Sequence, residues 1–276
     1  MTEKLYPVNG VELCAETFGD PADQAVLLVH GASASMLWWE AELCERLADR
    51  GRYVIRYDQR DTGRSTSYPP GKPGYSMRDL AADAVELLDA LGIDRAHVVG
   101  LSMSGGIALV LGVDYPERVR SVTFVSASTG ADDLPPPSAD MPRLVRPDLT
   151  DQAAVEEYVV RSIEAEAGRY FDEEAARDLV RRDMARARDF EASLTNHYAM
   201  EFDGPRHGGF GDLSMPVLVV HGDLDPLLPL AHGEAIRDAA PGASLTVLKG
   251  AGHGVPAALW DDFVDALAQH TARNGR

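Results

Sequence analysis

A chain of 276 residues with 45 % hydrophobic content is long enough for one large α/β unit, or a core with an inserted lid, and apolar enough to bury a sheet on both faces. Its net charge of −18 and pI near 4.7 argue against nucleic acid and anionic membranes as partners. Cys14 and Cys44 are too few for a disulfide framework or a metal site; both lie in apolar-periodic segments and are expected as buried, reduced thiols. MTEKLYPVNGVELCAETFGD at the N-terminus has no apolar signal core, and no stretch approaches the length of a membrane span, so a cytoplasmic protein is expected.

In chain order, β-branched and aromatic runs predict strands near Tyr6–Pro7, Val11–Thr17, Ala25–Val29, Tyr53–Tyr57, His97–Val99, Val119–Val125, Val217–Val220 and Ser244–Leu248. Amphipathic stretches predict helices over about Trp38–Arg50, Ser76–Leu91, Ser104–Tyr115, Leu230–Ala239 and Ala257–Ala272. The alternation implies an α/β fold with a mostly parallel sheet and right-handed crossovers. Asn9-Gly10 between the first two strands is a hairpin signal, so the sheet is expected to begin antiparallel. From residue 132 to 211 the composition shifts: Leu134-Pro135-Pro136-Pro137 and Met141-Pro142 make a stiff linker, and charge-rich helical patterns follow over about Thr150–Gly168 and Asp172–Phe190. Residues 1–131 and 212–276 are therefore expected to form the core and residues 132–211 a hinged helical lid, its Arg, Asp and Glu runs lying on solvated faces. Tyr158, Tyr198 and Met200 are candidate roof residues of a substrate pocket and Trp38 a candidate wall, while Trp39 is expected nearer the core.

The chemistry-bearing positions fall at strand ends. Gly100-Leu101-Ser102-Met103-Ser104 joins an apolar strand to a Gly-rich helix start, the arrangement of a nucleophile elbow, in which a strained turn lifts a serine hydroxyl over the sheet edge. Such a turn needs small residues two positions either side of the serine; Gly100 supplies one, and Ser104 stands where glycine is usual on the other, followed by Gly105 and Gly106. A serine needs a base, and the base an orienting acid. His253, in the loop Gly250-Ala251-Gly252-His253 after the last strand, is the candidate base. Asp225 is the candidate acid: it lies three residues past Gly222 and just before Pro226, whereas Asp223 reads as a turn or cap residue. The oxyanion formed during acyl transfer needs two backbone donors. Met103, after the nucleophile, and Ala32, in the loop His30-Gly31-Ala32 after an early strand, are the candidates, with His30 bracing that loop.

VIRYDQRDTGRST (Val54 to Thr66), ELCERLADRGRYVIRYD before it, DLAADAVELLDALGIDRAHVVGLSM (Asp79 to Met103) and the HGDLDP and GAGH loops together resemble the α/β-hydrolase superfamily over essentially the whole chain. More narrowly, chiefly over the first 103 residues, they resemble the aclacinomycin methylesterase group of bacterial polyketide-antibiotic pathways. The resemblance implies an eight-stranded α/β-hydrolase sheet flanked by helices, with the charged loop Asp58–Ser65 serving as a brace behind the elbow. It also implies a cofactor-free, metal-free serine hydrolase of small or medium carboxylic esters, with a methyl ester of an aromatic polyketide as the narrower expectation, working as a monomer or homodimer. Carbon–carbon bond hydrolases, lactonases and perhydrolases of the haloperoxidase type use the same triad and stay open as alternatives. A serine at the elbow, where an aspartate would form an alkyl-enzyme, argues against epoxide hydrolase and dehalogenase chemistry. A ligand-binding protein of low turnover is disfavoured by the complete set of three groups.

Overall fold

Strands β3 (Gln24–Val29), β5 (Ala96–Leu101), β6 (Val119–Val125) and β7 (Val217–Gly222) are buried along nearly their whole length, as strands covered by helices on both faces must be. In the computed structural model, which describes residues 2–272, they belong to one sheet with β1 (Lys4–Val8), β2 (Val11–Phe18), β4 (Arg52–Tyr57) and β8 (Ser244–Leu248). The order of the eight strands is β1-β2-β4-β3-β5-β6-β7-β8. β1 and β2 form the expected hairpin through Asn9 and Gly10, both at positive φ (43° and 75°), and β2 runs antiparallel to β4. All later pairings are parallel, so the C-terminal ends of β3, β5, β6, β7 and β8 lie on one edge.

Alternation along each strand splits the core in two. Leu27, Val29, Val98, Phe124 and Val219 face a cluster made with α2 (Met77–Ala90), α3 (Ser104–Asp114) and α8 (Ala231–Ala239). Val26, Leu28, Val99, Val125 and Val220 face α1 (Ala41–Ala48) and α9 (Trp260–Ala272). Both cysteines are free and buried. Among the described residues no helix is long and apolar enough to cross a membrane.

The helix expected from Trp38 is broken: a 3-10 turn, Met36–Trp38, precedes α1, and Trp39 lies between them. Trp39 is 2 % exposed and stacks on Phe263 at 6.1 Å, while its carbonyl accepts from the buried Arg56 guanidinium at 2.5 Å. Sinking the indole and engaging the carbonyl takes this residue out of the helix. The last helix likewise starts at Trp260, after a 3-10 turn.

Between β6 and β7 the chain adds α4 (Gln152–Glu166), α5 (Glu173–Arg186) and the single turns α6 (Phe190–Ser193) and α7 (Asn196–Ala199). Two charged residues of α5 correct the reading of its charge run as a solvated face. Arg186 and Asp58 form a buried ion pair, their side chains 7 % and 0 % exposed, at 2.7 Å. Asp183, also buried, accepts from Trp38 Nε1 at 2.6 Å. Arg161, Arg177 and Arg182 do pair on the helix surfaces. Residues 131–150 are mostly exposed, and the helices beyond them are fastened by buried polar contacts to the 3-10 turn after β3 and the loop after β4.

Removing one partner of a buried ion pair strands the other charge, at a cost of about 3–5 kcal/mol. Arg186→Met should therefore lower unfolding stability by about that amount, since Asp58 keeps two backbone donors but loses its counter-charge. Arg161→Ala, on the surface of α4, should leave the urea midpoint in place.

Candidate active site

Ser102 sits between β5 and α3 with φ +53°, in the left-handed region that serine rarely occupies. Its N–H donates to Val125 of the neighbouring strand (2.9 Å), and its carbonyl accepts from Gly105 N–H (2.9 Å). The turn needs glycine on one side more than on the other. A Cβ at Gly100 would lie 2.2 Å from the Ser104 carbonyl oxygen, an impossible contact. At residue 104 a side chain fits: it is wholly buried, and Ser104 Oγ donates to the His30 carbonyl and accepts from Gln59 Nε2 at 3.3 Å. The departure from glycine thus ties the elbow to the loop after β3 that holds the candidate donor Ala32. Gln59 also donates to the His30 carbonyl at 2.7 Å, which places the Asp58–Ser65 loop behind the elbow.

The loops after β7 and β8 are laced together. Leu224 N–H donates to Ala251 (2.9 Å), and Gly250 N–H donates to Asp223 Oδ1 (2.6 Å). Asp223 also faces Lys249 at 3.3 Å, so it staples the two loops. Asp225 instead turns inward, where its Oδ2 accepts from His253 Nδ1 at 2.8 Å. Its Oδ1 accepts the N–H groups of Leu227 (3.0 Å) and Leu228 (2.9 Å), and His221 Nε2 lies 3.4 Å from Oδ2. Burial works against an ionised Asp225, but the hydrogen bonds from His221 and His253 outweigh it and hold the carboxyl well below the usual range. Burial likewise disfavours a charged His253, yet Asp225, followed by the charge of Glu166, raises the imidazole above its ordinary 6.5. His253 N–H donates to the Glu166 carbonyl at 2.7 Å, and Gly168 pairs with Ala251, so the end of α4 frames the histidine loop. Gly252 is required there, because a Cβ would fall 1.7 Å from the Glu166 carbonyl oxygen.

Ala32 follows Gly31, which packs so closely on the elbow that a Cβ there would be 3.1 Å from Ser102 Cβ, and Met103 follows Ser102 in the chain. Among the described residues, the N–H groups of Ala32 and Met103 donate to no protein acceptor. Burial, followed by repulsion from His253, pushes the His30 imidazole down to about 3. His30 is therefore neutral, its Nδ1 accepts from Gly31 N–H (2.8 Å), and its ring leans on Trp38 and Trp39 at 5.8 and 5.4 Å. Of the candidate pocket residues, Trp38 and Tyr158 pack half-buried on one cluster beside this loop. Tyr198 is 68 % exposed, and Met200 is 5 % exposed within the main core.

A serine on a strained strand-to-helix turn, with a histidine–aspartate pair at the same sheet edge, is the arrangement of an α/β hydrolase. Residues 24–256 match the model of the alpha/beta hydrolase fold family, and the chain belongs to that family. It is 32 % identical to the rhodomycin D methylesterase DauP of Streptomyces sp. strain C5, with 98 % of each chain covered. Identity to the rhodomycin D methylesterase DnrP of Streptomyces peucetius is 30 %, again over 98 % of each chain. Among solved structures it resembles an esterase from Exiguobacterium antarcticum, with a TM-score of 0.78 at 20 % identity over 98 % of this chain and 100 % of that one.

A base must be neutral to accept a proton, so kcat/KM should rise with pH through a midpoint above the ordinary imidazole value of 6.5. Asp225→Asn removes the charge that raises His253, so this limb should move to lower pH while kcat falls about 10⁴-fold through the wrong tautomer. Asp223→Asn should leave the limb in place and cost far less. A pH series on the three proteins checks both statements.

Proposed function

We propose that the protein is a cofactor-free serine hydrolase of carboxylic esters, with Ser102 as nucleophile, His253 as general base and acid, Asp225 as the orienting carboxylate, and the Ala32 and Met103 N–H groups as oxyanion donors. The observation that carries the reading is the 2.8 Å His253–Asp225 hydrogen bond at the same sheet edge as a serine held at φ +53°. Asp225 holds the Nδ1 proton and leaves Nε2 as the acceptor. Ser102 Oγ attacks the ester carbonyl and passes its proton to His253, and the carbonyl electron pair moves onto an oxygen received by the two N–H groups. The C–O bond then breaks and His253 returns the proton to the leaving alcohol. Water adds to the acyl-enzyme by the same route and releases the acid and Ser102.

Carboxylic-ester hydrolysis follows from the family and from the two methylesterase relatives. Their names support a methyl ester as the narrower substrate, and the resemblance to the methylesterase group of polyketide-antibiotic pathways supports an aromatic polyketide as its acid part, held under the segment over residues 132–211 acting as a lid. Trp38 and Tyr158, in one cluster beside the oxyanion loop, would supply a flat apolar wall. The buried free thiols suit a reducing cytoplasm.

Ser102→Ala should keep the fold and lower kcat by about 10³-fold or more, since the attacking atom is gone. Methanol release from a polycyclic aromatic methyl ester, compared with acetate release from p-nitrophenyl acetate, tests activity and substrate class together. More than about a tenth of wild-type activity in the alanine variant would remove Ser102 as nucleophile.

A further inference from the structure

The turn α7 carries a histidine that the proposed mechanism does not use. His197 is wholly buried, and both of its ring nitrogens are engaged. Nε2 lies 2.9 Å from the Arg60 carbonyl oxygen, which can only accept, so Nε2 carries the proton. Nδ1 lies 3.1 Å from Ser33 N–H, which can only donate, so Nδ1 offers its lone pair. A single neutral tautomer satisfies both contacts. Tyr75 meets the ring edge-on at 6.4 Å and is itself fixed by donating to Asp61 Oδ2 at 2.6 Å.

Ser33 is the residue after Ala32 and has φ +66°, another left-handed conformation on a residue with a side chain. Accepting its N–H fixes the plane of the Ala32–Ser33 peptide. On the other side of Ala32, Gly31 N–H is bonded to His30 Nδ1 at 2.8 Å. Ala32 is therefore held from both directions, and one of the two holds comes from the helical segment.

We propose that His197 is a positioning residue of the oxyanion hole, whose neutral imidazole clamps Ser33 and so aims the Ala32 N–H at the carbonyl oxygen of the ester. The proposal rests on the reading of Ser102 and Ala32 given above. The effect belongs to the transition state, because the donor matters most once charge develops on that oxygen.

Two substitutions separate the nitrogens. His197→Asn keeps an acceptor at the Nδ1 position, and His197→Gln keeps a donor at the Nε2 position. The clamp predicts that His197→Gln lowers kcat by about 100-fold with KM nearly unchanged, whereas His197→Asn recovers most of that loss. Equal kcat in the two variants, whether both are reduced or both intact, would overturn it, since a purely structural peg does not distinguish the nitrogens. Ser102→Ala is assayed beside them. If it stays active, the nucleophile reading fails; if it is inactive while His197→Gln keeps its kcat, the clamp alone fails. Nitrogen-15 NMR of the wild-type imidazole needs no variant to fold. A proton on Nε2 and a bare Nδ1 support the clamp, and a proton on Nδ1 contradicts it.

Discussion

Holding a serine at φ +53° costs about 1–3 kcal/mol, and the surrounding structure must supply that continuously. The sheet does so by placing β5 between β3 and β6, so the turn leaves from the middle of the molecule. The Ser102 N–H is tied to Val125 of β6, and the Ser102 carbonyl is engaged by the first turn of α3. Gly100 gives the chain room to fold back over its own strand, and Ser104 fastens the far side to the loop after β3. The strained turn lies at the sheet edge that also holds the His253–Asp225 pair, and it is this residue that the proposed mechanism takes as nucleophile.

The helices between β6 and β7 act as part of this frame. The end of α4 backs the histidine loop through the Glu166 carbonyl and Gly168, α5 holds Trp38 through Asp183, and α7 holds Ser33 through His197. The buried Arg186–Asp58 pair locks α5 against the loop behind the elbow. Swinging the whole segment away would break these contacts together.

The strands and the loops at their ends were legible in the sequence because each feature is local. Apolar runs closed by Gly, Pro and Asp mark strand ends, and the Asn9-Gly10 turn marks the hairpin. The preference for Asp225 over Asp223 also came from turn chemistry, and the two carboxylates do face different partners. What escaped depends on distant pairing. Asp183 and Arg186 lie in a run that looks solvated, and only the packing of α5 on Trp38 and Asp58 makes them buried partners. His197 carried no local signal; its partners Ser33 and Arg60 lie more than a hundred residues upstream. The break at Trp39 arises because a buried indole and Arg56 compete with helical hydrogen bonding.

The central claim is that the strained serine forms the acyl-enzyme. Treating the active enzyme with a fluorophosphonate, then mapping the adduct by peptide mass spectrometry, tests it most directly. One adduct per chain is expected, on Ser102, formed in proportion to loss of esterase activity and absent after prior heat denaturation. An adduct on another residue that tracks the loss of activity, or full inactivation with Ser102 unmodified, would contradict it.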